Sequence, residues 1–319
     1  EPVRTWSSHR LRHPLFADAV ERYLAREAGG IDAYIDELKE RTALLMVTIW
    51  GFNFVVIRWG LNDIPPLMLT LLRFILAAFP ALLFIRPPKA PARLIVGYGL
   101  FAFALQFSLL FAGMAAGMPT GLASLVIQVQ AFFTIGLVTV LMHERPRPAQ
   151  VAGAAVAAAG LALVAWHLPQ GTAIGFGLVV MAALSWATAN VIVKRVPADA
   201  PLAVVVWASA AACVPLAAAT LIVDGPQRMV AVVSGLSVAQ WVGVAFQAWP
   251  TTLAAFGIWA WLLRQHPAAT VAPFTLLVPV VGMSCAVAFL DEPVTWWKLV
   301  GAALVLSGLA LNLIVALRR

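Results

Sequence analysis

The residues of this chain equipped for chemistry are polar side chains set singly into long apolar runs, at spacings that suit hydrogen bonding rather than bond making. Trp50 and Asn53 stand three apart, and Trp186 and Asn190 four apart, so each pair shares one face of a helix. Tyr98, Phe101 and Gln106 occupy a third run; Ser124 and Gln128, four apart, and Gln130 occupy a fourth. Gln247 and Thr251, again four apart, flank Trp249 and Pro250. Together these residues would line a cavity with aromatic walls and amide hydrogen-bonders, a surface for a zwitterionic or neutral polar solute of amino-acid size. Each alone suits a hydrogen bond between helices equally well. Arg73 is the one charge well inside an apolar run, about six residues or ~9 Å from its end at ~1.5 Å per residue. It can meet a substrate carboxylate, snorkel outward, or pair with Asp63.

Covalent chemistry has little to work with. His143, His167 and His266 are isolated at the ends of apolar runs, with no HExxH or comparable spacing to build a metal site or a nucleophile–base pair. A membrane enzyme acting on lipid is therefore disfavoured. Cys213 and Cys285 lie inside apolar stretches without a CxxC and read as packing residues. No metal and no cofactor is expected. Beyond residue 41 the carboxylates are Asp63, Glu144, Asp199, Asp224, Asp291 and Glu292, all in breaks or at run ends. A proton- or sodium-driven pump usually keeps a carboxylate at membrane depth. Movement of a solute is expected to be facilitative, or coupled without a buried acid.

The elements that position these residues follow from composition. Apolar residues make up 62% of the 319 and charged residues 11%, against about 25% charged in soluble domains; the excess apolar surface must face lipid. The net charge of +7 is scattered between apolar runs rather than gathered in a patch, so no nucleic-acid partner is expected. Ten spans of the length that crosses a bilayer are read at 42–60, 67–86, 93–114, 119–142, 149–166, 171–193, 201–223, 239–263, 268–290 and 295–317. Prolines punctuate the breaks, from Pro65 and Pro66 to Pro293. Pro250, Pro273 and Pro279 instead interrupt spans, remove backbone hydrogen bonds and mark candidate hinges. Residues 1–41 hold eight of the fourteen acidic side chains and read as a polar segment of two short amphipathic helices broken at Gly29-Gly30; no role is assigned to them.

Lys39, Arg41, Arg86, Lys89, Arg93, Arg145, Arg147, Lys194, Arg195, Arg264, Arg318 and Arg319 fall on one side of this arrangement, and Arg58, Arg228 and Lys298 on the other. The bias puts both termini in the cytoplasm. A shift of 148 residues lays Pro119 on Pro267, Glu144 on Glu292, Gly153 on Gly301 and Gly160 on Gly308, with matching neighbours. Earlier in each half, Trp50 with Arg58 eight residues on parallels Trp186 with Lys194. The halves, 42–166 and 171–317, each hold five helices. An odd number makes the second half enter from the opposite side. The expected fold is all-α, ten transmembrane helices in two inverted five-helix repeats, an architecture of secondary transporters with the solute site between the repeats. Gly153, Gly160, Gly301 and Gly308 are assigned to close helix packing.

Three stretches carry a family likeness: Trp50-Gly51-Phe52-Asn53-Phe54-Val55-Val56-Ile57-Arg58; Pro65-Pro66-Leu67-Met68-Leu69 ahead of Leu72-Arg73-Phe74; and Gly117-Met118-Pro119-Thr120-Gly121-Leu122-Ala123-Ser124. Val271-Ala272-Pro273-Phe274 and Leu277-Val278-Pro279-Val280-Val281-Gly282, ahead of Asp291-Glu292, add a fourth. Over about residues 42–317 the chain resembles the EamA branch of the drug/metabolite transporter superfamily. Within it the chain is most similar to the cysteine and O-acetylserine exporters, and next to the YddG-type aromatic amino-acid exporters. The resemblance implies an exporter of amino acids or related small metabolites in a bacterial inner membrane; the inverted halves point to alternating access, and a monomer is expected. A facilitative channel and an exporter of drugs or other metabolites remain as alternatives.

Overall fold

The computed structural model describes residues 31–143, 146–169, 171–197, 200–265 and 271–317. The chain forms two compact units, Glu1–Leu45 and Met46–Arg319. Among the described residues all regular structure is helical. The elements are α1 (Ile31–Leu61), α2 (Pro66–Ala78), α3 (Ala92–Ala115), α4 (Thr120–Met142), α5 (Pro148–His167), α6 (Ala173–Val193), α7 (Pro201–Val223), α8 (Gly225–Gly235), α9 (Val238–Leu262), α10 (Leu277–Leu290, after the 3-10 turn Ala272–Leu276) and α11 (Trp296–Leu317).

Nine helices among the described residues are long and apolar enough to cross a membrane; α8 and α9, which meet at 103°, make a tenth if taken as one span. Two expectations change. Ile31–Leu61 is a single helix, so the second short amphipathic helix foreseen before residue 42 is the start of α1; the first lies outside the described residues. The stretch ahead of the eighth span is not a plain loop but α8, whose Met229 and Val232 pack against the buried core. Gly225 and Pro226 mask this helix in the sequence, yet proline sits without cost in a first turn. Proline likewise opens α2, α5 and α7.

Leu83, Phe84, Val140, Val214, Ile222 and Val242 are exposed on the outer surface, the apolar coat a bilayer covers. This is an integral membrane protein. Inside, α5 and α11 are held by glycine. A Cβ on Gly153 would lie 2.6 Å from the carbonyl oxygen of Gly308, and one on Gly160 would lie 2.9 Å from that of Gly301. Early meets late in both contacts, so the two helices run antiparallel, as corresponding helices of inverted repeats must.

The backbone repeats the 148-residue register more closely than the side chains do. His143 (φ 55°) ends α4 and Asp291 (φ 52°) ends α10, both left-handed and 148 apart. The π-helical segment Gly99–Leu105 of α3 has its counterpart in Gln247–Ala254 of α9. Short 3-10 turns interrupt α4 at Ile127–Val129 and precede α10 at Ala272–Leu276. Glu292 accepts backbone N–H bonds from Thr120, through Oε1, and from Gly121, at 3.2 Å through Oε2. The helix N-terminus favours a carboxylate there. Its repeat mate Glu144 lies outside the described residues.

Candidate functional site

Where α9 leaves the α-helical pattern, it meets α1 and α2. A π segment carries one extra residue per turn, which turns side chains out of the i, i+4 register and leaves carbonyls without their usual partners. Pro250 lies within it, but Gly99–Leu105 is π-helical with Ala102 at the corresponding place. The bulge therefore belongs to the repeat and does not need the proline.

Five of the foreseen residues come together here. Trp50 Nε1 donates to the carbonyl of Thr251 at 3.2 Å, and Thr251 Oγ1 donates to Asn53 Oδ1 at 3.2 Å. The Trp50 ring packs edge-on to Phe256 at 5.4 Å. One residue further on, Thr252 does what was not foreseen. Its Oγ1 donates to the Gln247 carbonyl at 2.8 Å and accepts from Arg73 Nε at 3.1 Å and Nη2 at 3.0 Å. Gln247 and Thr252 are five apart, a π spacing that a search at three and four residues passes over.

Arg73 is 1% exposed. Its Cζ sits 4.1 Å from the centroid of the Phe107 ring and 5.5 Å from that of Phe74, positions at which an aromatic face attracts a cation. The guanidinium turns inward rather than to a membrane surface, and Asp63 accepts from Gln240 Nε2 at 2.7 Å. Three buried atoms in this cluster have no hydrogen-bond partner: Arg73 Nη1, Gln247 Nε2 and Gln247 Oε1. Buried polar groups in a membrane protein are costly without partners, and these three fall on two residues that Thr252 links, through the Arg73 guanidinium and the Gln247 backbone carbonyl.

The other candidates lie elsewhere. Tyr98 packs on Phe103 at 5.4 Å, and Phe103 on Phe256 at 6.2 Å, so an aromatic line links Tyr98 to Trp50. Phe101 lends its carbonyl to Ser185 Oγ at 2.7 Å. Gln106 is buried directly after the π segment of α3. Ser124 bonds within its own helix, to the Gly121 carbonyl at 2.7 Å, and closes against Gly282. Gln128 Nε2 donates to the Thr275 carbonyl at 3.5 Å. Asn190 Nδ2 donates to Gln130 Oε1 at 2.6 Å and to Thr134 Oγ1 at 3.1 Å, tying α6 to α4. Trp186 is half-buried against the main core. Pro273 falls in the 3-10 turn and Pro279 in the first turn of α10.

The model of the EamA-like transporter family matches residues 40–166 and again 173–314, one copy on each half of the chain. The chain belongs to the EamA-like transporter family. That membership makes it a transporter and not an enzyme. Among EamA-like relatives, one from Escherichia coli K12, named a probable amino-acid metabolite efflux pump, is 41% identical over 277 residues, covering 85% of this chain and 93% of that protein. A Salmonella typhimurium protein of the same name is 40% identical over the same shares. A solved structure, titled only as a crystal structure of protein, superposes with a TM-score of 0.59 over 88% of this chain and 99% of the other, at 20% identity. At that identity the likeness is one of fold.

Proposed function

We propose that this EamA-like transporter exports amino acids or related small metabolites across a bacterial inner membrane. It works by alternating access between the two inverted repeats, as a monomer with both termini in the cytoplasm. The observation that carries the reading is the polar cluster of Trp50, Asn53, Arg73, Gln247, Thr251 and Thr252: α1 and α2 come from one repeat and α9 from the other. A site shared by inverted repeats is where a carrier can present one solute to either side in turn. The names of the two relatives support amino-acid metabolites as the solute. The distribution of Lys and Arg supports the orientation. Arg73 offers a positive contact for a substrate carboxylate. Trp186, Asn190, Gln128, Ser124, Gln106, Tyr98 and Phe101 are assigned to the walls of the path, and Pro250, Pro273 and Pro279 to its hinges.

The test is a thermal-shift and cellular export screen of the purified and overexpressed protein with cysteine, O-acetylserine, threonine, methionine, tryptophan and phenylalanine. At least one of these raises the melting temperature and appears faster in the medium of expressing cells. A flat response to all six, with a response to unrelated drugs, would overturn the amino-acid reading.

A further inference from the structure

We infer that Arg73 and Gln247 together recognise both charged ends of an α-amino acid: the carboxylate on Arg73 Nη1 and Gln247 Nε2, the ammonium on Gln247 Oε1. The inference rests on the exporter reading above and names the chemistry of that same site. Two of the three unpartnered atoms are donors and the third is an acceptor. A carboxylate presents acceptors and an ammonium presents donors, so one zwitterion satisfies all three. An amine alone leaves the two donors bare, and a carboxylic acid alone leaves the amide oxygen bare.

The repeat supplies an internal control on the opposite explanation, that these groups merely pack helices. The shift of 148 sets Gln247 on Gly99, each the first residue of its π segment. Aligning Pro66, which opens α2, with Pro201, which opens α7, sets Arg73 on Ala208. Gly99 and Ala208 do meet: a Cβ on Gly99 would lie 2.3 Å from the carbonyl oxygen of Ala208. The same crossing is thus closed backbone against backbone in one copy, with glycine and alanine where the other has Gln247 and Arg73. Long polar side chains at the other copy are additions that the scaffold does not require. Thr252 anchors the addition, fixing the Arg73 fork through Nε and Nη2 while its own proton goes to the Gln247 carbonyl. That leaves Arg73 Nη1 and the Gln247 amide buried without partners in this closed packing, so an occupant reaches them when the helices part. Among the described residues the Gly99–Ala208 crossing therefore offers no counterpart to this site.

The experiment uses the full-length protein in proteoliposomes and the amino acid of the six above that gives the strongest counterflow, with its methyl ester and its N-acetyl derivative. In the wild type both derivatives lose at least tenfold in apparent affinity. Gln247→Leu melts no lower than the wild type without solute, because it deletes two unpartnered polar atoms, and it raises the KM tenfold or more. In that variant N-acetylation costs less than threefold, since the acceptor for the ammonium is already gone. Arg73→Lys keeps the charge, loses the fork and raises the KM similarly. A folded Gln247→Leu protein with wild-type KM overturns the inference, as does a wild type that carries the methyl ester as well as the parent. A Gln247→Leu protein that does not fold also overturns it, because an amide with no partner in the fold cannot be what holds the fold together. If none of the six amino acids is carried, the exporter reading itself fails; if one is carried but the variants and derivatives are indifferent, this site alone fails.

Discussion

Gly153 faces the carbonyl oxygen of Gly308 so closely that a Cβ would stand 2.6 Å from it. The 148-residue shift turns this contact into the one between Gly301 and Gly160, so a single pair of glycines, used twice, crosses α5 over α11. Close approach of backbones through small residues is a main source of helix association where lipid removes the hydrophobic drive. Gly153→Val and Gly160→Val therefore each force the helices apart. Overpacking of this kind costs about 1–3 kcal/mol, read as a lower melting temperature and loss of monodispersity in detergent. Gly177 and Gly257 have open space where a Cβ would stand, with no atom within 4 Å, and alanine at either leaves the melting temperature unchanged or raises it.

Thr252→Val keeps the shape of the side chain and removes the hydroxyl that accepts from Arg73 Nε and Nη2. The guanidinium is left without those bonds, at a cost of about 1–3 kcal/mol. Transport falls chiefly through the KM, because the arginine is no longer held. Initial rates over a range of solute concentrations, beside a melting curve, separate the two effects.

Pro250→Ala leaves both fold and stability close to wild type, since the matching π segment in α3 forms around Ala102. The paired change Pro273→Ala with Pro279→Ala acts on motion instead. Pro273 opens the 3-10 turn and Pro279 lies in the first turn of α10, where an N–H has no partner within the helix. The change therefore spares stability and acts where turn and helix join, lowering turnover severalfold at normal expression. Unchanged export by the paired variant would remove these prolines as hinges.

Among the described residues after 41, the carboxylates Asp63, Asp224, Asp291 and Glu292 stand between helices, and a pump driven by protons usually keeps one at membrane depth. Solute uptake into proteoliposomes is expected to proceed equally with and without an imposed proton gradient, and to change little between pH 6 and pH 8. Uptake that collapses with the gradient would require a proton carrier not yet identified.

Much of this was legible in the sequence because the repeat is written there. Pro119 and Pro267, and the glycines of α5 and α11, set the register of the two halves. Trp50, Asn53, Gln247 and Thr251 could be picked out because isolated polar groups in apolar runs are expensive and need partners. What escaped has physical reasons. Thr252 and Gln247 are joined at a π spacing, and local sequence does not announce a π turn: Gly99–Leu105 and Gln247–Ala254 share the geometry with few residues in common. The direction of Arg73 depends on Phe107 and Thr252, which arrive from other helices. The helix α8 hides behind a Gly-Pro pair that reads as a turn.

The central claim, that two inverted repeats carry an amino acid by opening one shared site to each side in turn, is met most directly by counterflow. Proteoliposomes preloaded with unlabelled amino acid are placed in trace labelled amino acid. The account predicts saturable uptake of label that overshoots equilibrium when the lumen is loaded and is small when it is empty. Uptake that rises linearly with concentration and ignores the load would show a pore, and would contradict it.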